Sequence, residues 1–157
     1  MTPAMSPADG QTIRALGVTG VGIRTFSPPE FFNANCVPLG DLLAPGSLSH
    51  TQYIQKAFED QLRIEGAYAQ REPRVTIGGK VNRLDFSSLS GYWQIDLTLD
   101  SSNGRKLDVS EHYEFQGGFA PFVGIQACMN TADAFVRAVL NLVSKAVHSS
   151  GFAELLR

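Results

Sequence analysis

The sequence is poor in charged residues and has no long apolar run. Asp, Glu, Lys and Arg make up 18% of its 157 residues, and the formal net charge is −2. This balance gives no electrostatic basis for binding nucleic acid or an anionic membrane surface. No apolar stretch approaches the roughly 18 residues that a membrane-spanning helix needs. We therefore predict neither a nucleic-acid partner nor a transmembrane segment.

The first residues lack both features of a secretory signal peptide. The stretch MTPAMSPADGQT has no basic segment and no apolar segment. Its prolines, glycine and small polar residues predict a disordered lead-in over residues 1–13, followed by a single domain over residues 14–157. The chain is either cytoplasmic or part of a longer protein that carries a leader, and the sequence start leaves both alternatives open.

Residues that bind metals or act as nucleophiles are few and scattered. His50, His112 and His148 have no spacing that pairs them with one another or with a cysteine. A structural zinc site needs four ligands, which usually come in closely spaced pairs. The glycines of residues 17–22 precede Ile-Arg-Thr-Phe-Ser-Pro-Pro, which cannot begin the helix that a phosphate-binding loop requires. We predict no metal, no cofactor and no catalytic residue, and hence a protein that is not an enzyme.

The chain has only two cysteines. Cys36 lies in residues 25–47, a run interrupted by Pro28, Pro29, Pro38 and several glycines, which predicts a long loop. Cys128 falls on the apolar stripe of a predicted helix, where a thiol is normally inert. At this point Cys36 can be a reactive thiol, a metal ligand or half of a disulfide.

Hydrophobic periodicity predicts six main elements in the order β-α-β-β-β-α. Strand patterns cover residues 14–24, 74–86, 92–100 and 105–115, and helical spacing covers residues 49–65 and 123–147, with a short terminal turn beyond. This order predicts an α+β fold, an antiparallel sheet with two helices packed on one face. A change of phase within residues 74–86 predicts a β-bulge near Asn82.

The register of the last hairpin follows from its turn. A three-residue loop, Ser102-Asn103-Gly104 with Gly104 left-handed, pairs Leu99 with Leu107 and keeps the apolar residues on one face. This register has an unusual consequence, since it places Glu111 opposite Ile95 on the apolar face. A carboxylate there can serve an acid–base site or a pocket, or it can bond a backbone group or a cation as a structural element.

Five residues are candidates for contact with a partner or ligand. Tyr92 and Tyr113 flank the hairpin, Phe31 and Phe32 lie in the loop that carries Cys36, and Glu111 is the acid described above. Aromatic side chains in loops often anchor a partner, but they can equally pack into the core.

The chain from about residue 36 to residue 156 resembles the YajG-like and related small putative lipoproteins of the Gram-negative cell envelope. The resemblance rests on five motifs, which are the helix ending at Gly66, the G-x-V-x-x-L strand from Gly79, the SSNG hairpin of residues 101–104, the Ala127-Cys128 helix start, and the closing S-x-x-F-x-x-L of residues 149–155. These motifs are structural, so no active-site residue is carried over.

The resemblance implies a periplasm-facing domain tethered to a membrane through an acylated N-terminal cysteine. This chain has no lipobox, and Cys36 lies too deep in the sequence to be acylated, so the expected anchor is absent from it. In an oxidising periplasm the cysteines Cys36 and Cys128 are expected to form a disulfide. Two reduced core thiols in a cytoplasmic protein remain the alternative.

Two functional hypotheses follow. The first is a non-enzymatic periplasmic lipoprotein domain with a binding or assembly role, whose partner is an envelope protein, a lipid or a cell-wall component. The alternative is a small ligand-binding or hydrolytic protein with a pocket near Glu111 and His112.

Overall fold

A computed structural model describes residues 12–118 and 124–157 of the chain. Short 3-10 turns cover Arg14–Leu16 and Pro45–Ser47. The regular elements are β1 (Val21–Ile23), β2 (Asn35–Cys36), β3 (Gly40–Asp41), α1 (His50–Ile64), β4 (Val75–Ser87), β5 (Tyr92–Ser101), β6 (Lys106–Glu114), α2 (Gly124–His148) and α3 (Ser150–Leu155).

The main sheet has the strand order β1-β4-β5-β6. Strands β4, β5 and β6 form the antiparallel meander that the sequence predicts. Strand β1 differs, since it pairs in parallel with β4, with Val21 opposite Val75. A parallel neighbour requires a crossover connection, and α1 supplies it between β1 and β4. The α+β prediction is therefore confirmed, with a sheet that is mixed because of its first strand.

The first strand is much shorter than the predicted residues 14–24. Arg14–Leu16 form a 3-10 turn, and Gly17 and Gly20 adopt left-handed backbone conformations with φ of 68° and 74°. Left-handed residues interrupt an extended ladder. Only the three residues Val21–Ile23 therefore remain in the sheet.

The predicted bulge and hairpin register are both confirmed. The pairing of β4 with β5 shifts between Val81 and Arg83, on either side of Asn82. In the hairpin Leu99 lies opposite Leu107, and Gly104 has a φ of 90°, as the three-residue loop requires.

Both long helices contribute to the core on the apolar face of the meander. Helix α1 begins at a capping box, in which Ser49 Oγ accepts from the Gln52 N–H and Gln52 Oε1 accepts from the Ser49 N–H. At the centre Trp93 is fully buried, and its Nε1–H donates to the backbone oxygen of Thr131 in α2 at 2.8 Å. The short helix α3 buries Phe152, as the closing motif predicts.

Residues 1–11, most of the predicted lead-in, and residue 123, the predicted start of the last helix, lie outside the described residues. Ile13, at the end of the predicted lead-in, is fully buried. Glu65 Oε1 accepts from the backbone N–H groups of Ile13 and Arg14 at 2.6 and 2.9 Å, which fastens this segment to the end of α1. Within the described ranges, no helix has the length and hydropathy needed to cross a bilayer.

Gly79 allows an aromatic ring to lie directly on strand β4. A Cβ atom built on Gly79 would lie 2.9 Å from two ring atoms of Phe26, which is buried and also contacts Phe58. Any side chain at this position would push the Phe26 ring out of place.

We predict that Gly79→Ala lowers the free energy of unfolding by about 1–3 kcal/mol because it overpacks this site. Phe26→Leu shortens the opposing side chain, so in that background Gly79→Ala should cost clearly less. Urea denaturation of both single variants and the double variant measures this coupling. Strictly additive costs would show that the close contact does not determine the effect.

Candidate functional site

The two cysteines form a disulfide. Cys36 in β2 and Cys128 in α2 are joined with their Cα atoms 5.9 Å apart, across a sequence separation of 92 residues. Both are buried, and no free cysteine is present. The alternatives of a reactive thiol and of a metal ligand at Cys36 are therefore wrong. The disulfide attaches the loop between β1 and α1 to the first part of α2.

Several apolar side chains are exposed around this cross-link. Val37 and Leu39 lie between β2 and β3, and Ile125 and Met129 lie one turn apart on α2. Ile125 is an apolar residue of the predicted helix over residues 123–147, yet its side chain is half exposed beside the disulfide. The disulfide thus holds in place a part of the surface that carries exposed apolar side chains.

Replacing both Cys36 and Cys128 by alanine should lower the free energy of unfolding by about 2–5 kcal/mol. The reason is that the cross-link restricts a long loop in the unfolded chain. Guanidinium denaturation of the variant, beside the oxidised and the reduced wild type, measures the effect. The reduced wild type should behave like the variant, whereas equal midpoints for all three forms would contradict the prediction.

Phe32, predicted as a contact residue, belongs to an aromatic cluster rather than to the surface. Its ring lies 5.0 Å from that of His50 and 6.3 Å from that of Trp93, measured between centroids. His50 also contacts Phe135 at 4.7 Å. Of the two alternatives for the loop aromatics, packing into the core is therefore correct for Phe32.

His50 is buried among these rings, and this lowers the pKa of its imidazole to about 4. The cause is desolvation, because the charged form loses its hydration without gaining a partner. In the unfolded chain the same group titrates near 6.5. As the pH falls below 6.5, the unfolded chain therefore binds a proton that the folded protein does not.

The difference in proton binding at His50 should therefore lower the free energy of unfolding by about 3 kcal/mol as the pH falls from 6.5 to 4. His50→Leu removes the titrating group, so its free energy of unfolding should depend less on pH in this window. His112→Leu, at an exposed histidine, is the matched control and should follow the wild type. Urea denaturation across the window tests this, and parallel profiles for wild type and His50→Leu would contradict it.

Glu111 is buried on the apolar side of β6, opposite Ile95 as the register predicts. Its Oε1 lies 2.6 Å from Nζ of Lys145, and its Oε2 accepts from Nδ2 of Asn141 at 3.2 Å. Both partners belong to α2. The carboxylate thus joins the sheet to the helix, which corresponds to the structural alternative.

Glu111 and His112, predicted to lie near one pocket, point to opposite faces of the sheet. Neighbouring residues of a strand point to opposite faces, and the exposed His112 stacks on Tyr92 with ring centroids 5.2 Å apart. Its Nδ1 lies 2.9 Å from Oε1 of Gln94 on the same face. Tyr113 is half-buried and lines a separate depression of about 230 Å³. The predicted residues are therefore distributed over both faces of the sheet.

A cleft of about 630 Å³ lies between β4 and the loop that precedes β2. One side carries Asn33, Asn35 and Phe31, whose side chain is 82% exposed. The other side is strand β4, and its lining residues are Lys80, Asn82, Arg83, Leu84, Asp85 and Phe86. Of the five predicted contact residues, only Phe31 lies here.

Metal binding has no support in the described ranges, where no three His, Cys, Asp or Glu side chains are grouped to hold an ion. The cleft is instead lined by amides, apolar side chains and charged side chains, which include Glu30 and Lys80. Arg83 Nε donates to Asp85 Oδ2 at 2.7 Å along β4. The cleft was not predicted from the sequence, although the sequence contains a signal for it. Pro28 and Pro29 end the pairing of their segment with β4, and a β-bulge is predicted in the same part of β4.

The sequence matches no protein-family model and no curated protein. Solved structures do match. The chain shares its fold with a DUF330 protein. This is XCC0632 from Xanthomonas campestris, with a TM-score of 0.57 and 14% identity over 98% of this chain and 94% of that one.

Two further solved structures are similar over most of their length. Protein CT253 from Chlamydia trachomatis has a TM-score of 0.51 and 6% identity, covering 87% of this chain and 98% of that one. PelC from Paraburkholderia phytofirmans has a TM-score of 0.44 and 14% identity, covering 88% and 91%. For XCC0632 and CT253, identities this low show a common fold alone, and the PelC score is below the level that shows one. The kinship with YajG-like lipoproteins stays a prediction.

Proposed function

We propose that this chain is a non-enzymatic binding domain of the bacterial cell envelope, working in the periplasm. The observation that carries the proposal is the buried disulfide between Cys36 and Cys128. Structural disulfides form and persist in oxidising compartments and are rare in the cytoplasm. The resemblance to envelope lipoproteins supports the same compartment, with a lipid anchor on a longer form of the chain.

A binding role is supported by the distribution of exposed apolar side chains. Phe31, Val37 and Leu43 are each more than 70% exposed, and all three lie in the loop between β1 and α1. Apolar side chains concentrated in one exposed region are typical of surfaces that contact another molecule. An envelope protein, a lipid or a cell-wall component each remains a candidate partner of the domain.

The absence of catalysis is part of the proposal, and the placement of the candidate groups supports it. Glu111 is engaged by Lys145, His50 is enclosed by aromatic rings, and His112 lies on the other face of the sheet. General acid–base catalysis needs a base within hydrogen-bond reach of its substrate. These three groups do not converge on one position where a substrate could lie.

Thiol trapping in intact cells tests the compartment. Cells that naturally make the protein are quenched in acid, alkylated under denaturing conditions and fractionated, with and without prior reduction. We expect alkylation of two cysteines only after reduction, and recovery of the protein with the periplasm or a membrane. Two thiols alkylated without reduction, in a protein from the cytoplasmic fraction, would overturn the proposal.

A further inference from the structure

One outer edge of the main sheet is occupied, and the other carries a lysine contact. Beside β1, the Val21 N–H donates to the oxygen of Ala67 at 3.0 Å, and the Val21 oxygen accepts from the Ala69 N–H at 2.8 Å. At the other edge, Lys145 Nζ donates to the oxygen of Ser110 in β6 at 3.1 Å. Such coverage and charge protect edge strands from pairing with other chains.

The second half of β4 has a different environment. The chain leaving β1 follows β4 as far as Ser27, whose N–H donates to the Gly79 oxygen at 2.8 Å and whose oxygen accepts from the Val81 N–H at 3.0 Å. The next residues are Pro28 and Pro29, which have no N–H and cannot continue the ladder. Pairing on this side therefore ends at the level of the bulge.

Beyond the bulge, the backbone groups of Leu84 and Phe86 point to the unpaired side. Gly91 N–H donates to the oxygen of Ser87 at 2.9 Å, so Ser87 faces β5. Because hydrogen-bonding direction alternates along an antiparallel strand, Leu84 and Phe86 face away from β5. Among the described residues, none bonds to their backbone on that side. Since both residues line the cleft, their polar groups face its interior.

A side-chain acceptor in the same cleft also has no partner. Asp85 Oδ2 accepts from Arg83, whereas Asp85 Oδ1 is buried and makes no hydrogen bond within residues 12–118 and 124–157. Buried polar groups are nearly always paired, and an unpaired one is costly. The cleft thus presents unpaired groups from the edge of a strand together with one unpaired carboxylate oxygen.

We propose that an extended peptide of a partner protein binds in this cleft by adding a strand to β4 along Leu84 and Phe86. Main-chain bonds to a strand edge supply affinity in this mode, and alternate side chains supply specificity. The peptide places apolar side chains beside Phe31 and Phe86, and between them a hydrogen-bond donor that faces Asp85. This inference rests on the proposed binding function and names the class of partner.

The backbone geometry favours a peptide over a glycan. A cell-wall glycan can form hydrogen bonds with the side chains of Asn33, Asn35 and Asp85. Its polar groups, however, do not recur at the spacing of Leu84 and Phe86, which are two positions apart on the strand. A peptide strand has this repeat, because its outward groups recur at every second residue. A glycan in the cleft is therefore an outcome that the test must distinguish.

The test begins with a displayed library of random decapeptides, selected on the folded, oxidised protein. An enriched peptide is synthesised, and amide hydrogen exchange is followed by NMR in the free and the bound protein. We expect the amide protons of Leu84 and Phe86 to exchange at least about tenfold more slowly in the complex. Those of Arg83 and Asp85, which already face β5, should not change.

Two exposed residues provide a matched pair of variants that leave the fold intact. Phe31→Ala removes the apolar side chain at the cleft and should weaken binding of the enriched peptide about tenfold. Ile64→Ala removes a side chain at the end of α1 that is 52% exposed and lies outside the cleft lining, so it should bind like the wild type. Isothermal calorimetry measures both affinities.

Three results would overturn the inference. They are the absence of any enriched peptide, a bound peptide that leaves the exchange of Leu84 and Phe86 unchanged, and a peptide-free cell-wall glycan fragment whose binding depends on Phe31 and excludes the peptide. Any of these can occur while thiol trapping still places the protein in the periplasm. Failure of the peptide site and failure of the proposed compartment are therefore distinguishable.

Discussion

The cross-link between Cys36 and Cys128 is the constraint on which the functional surface depends. The loop between β1 and α1 is rich in proline, and its regular structure is limited to the two-residue strands β2 and β3 and the 3-10 turn Pro45–Ser47. Such a segment has little regular hydrogen bonding of its own to hold it in place. The disulfide attaches it to α2, and Phe32 attaches it to the aromatic cluster around Trp93. Together these contacts position one side of the cleft against β4.

The sheet beneath this loop is built asymmetrically. Its apolar face carries the core, and the one carboxylate on that face is paired to α2 through Lys145. Its opposite face is polar, and Arg24 lies across it, with Nη2 of Arg24 2.6 Å from Oδ2 of Asp100. This face thus carries paired, solvated side chains. The cleft and several exposed apolar side chains lie at the edge of β4 and in the loop.

Much of the meander was predictable, because the residues that determine its pairing are close together in the sequence. The alternation in β5 and the SSNG turn fix the register, and the register in turn places Glu111 on the apolar face. The change of phase near Asn82 likewise marks the bulge. These features depend on neighbouring residues of the sequence, which is why a two-residue period and turn chemistry are sufficient.

The site was less predictable, because it depends on which distant residues meet. Phe31 and Phe32 are adjacent in the sequence, yet one is exposed at the cleft and the other packs against Trp93. No periodicity distinguishes them within an irregular loop. Strand β1 was overestimated because β-prone residues 14–20 are interrupted by left-handed glycines. The partner of Glu111 could not be predicted from the sequence either. Lys145 is 34 positions away along the chain, and it contacts Glu111 only because α2 packs on β6.

Residue-resolved amide hydrogen exchange of the free protein, before and after reduction, tests most directly whether the disulfide holds this loop against the sheet. We expect reduction to remove protection from the loop, including the Leu42 N–H that donates to the Ala34 oxygen. Amides within β5 and β6 should keep most of their protection, since their bonds do not involve the loop. The same holds for β4 apart from Val81, whose N–H donates to the Ser27 oxygen in the loop. Unchanged exchange in the loop, or an equal loss throughout the sheet, would contradict it.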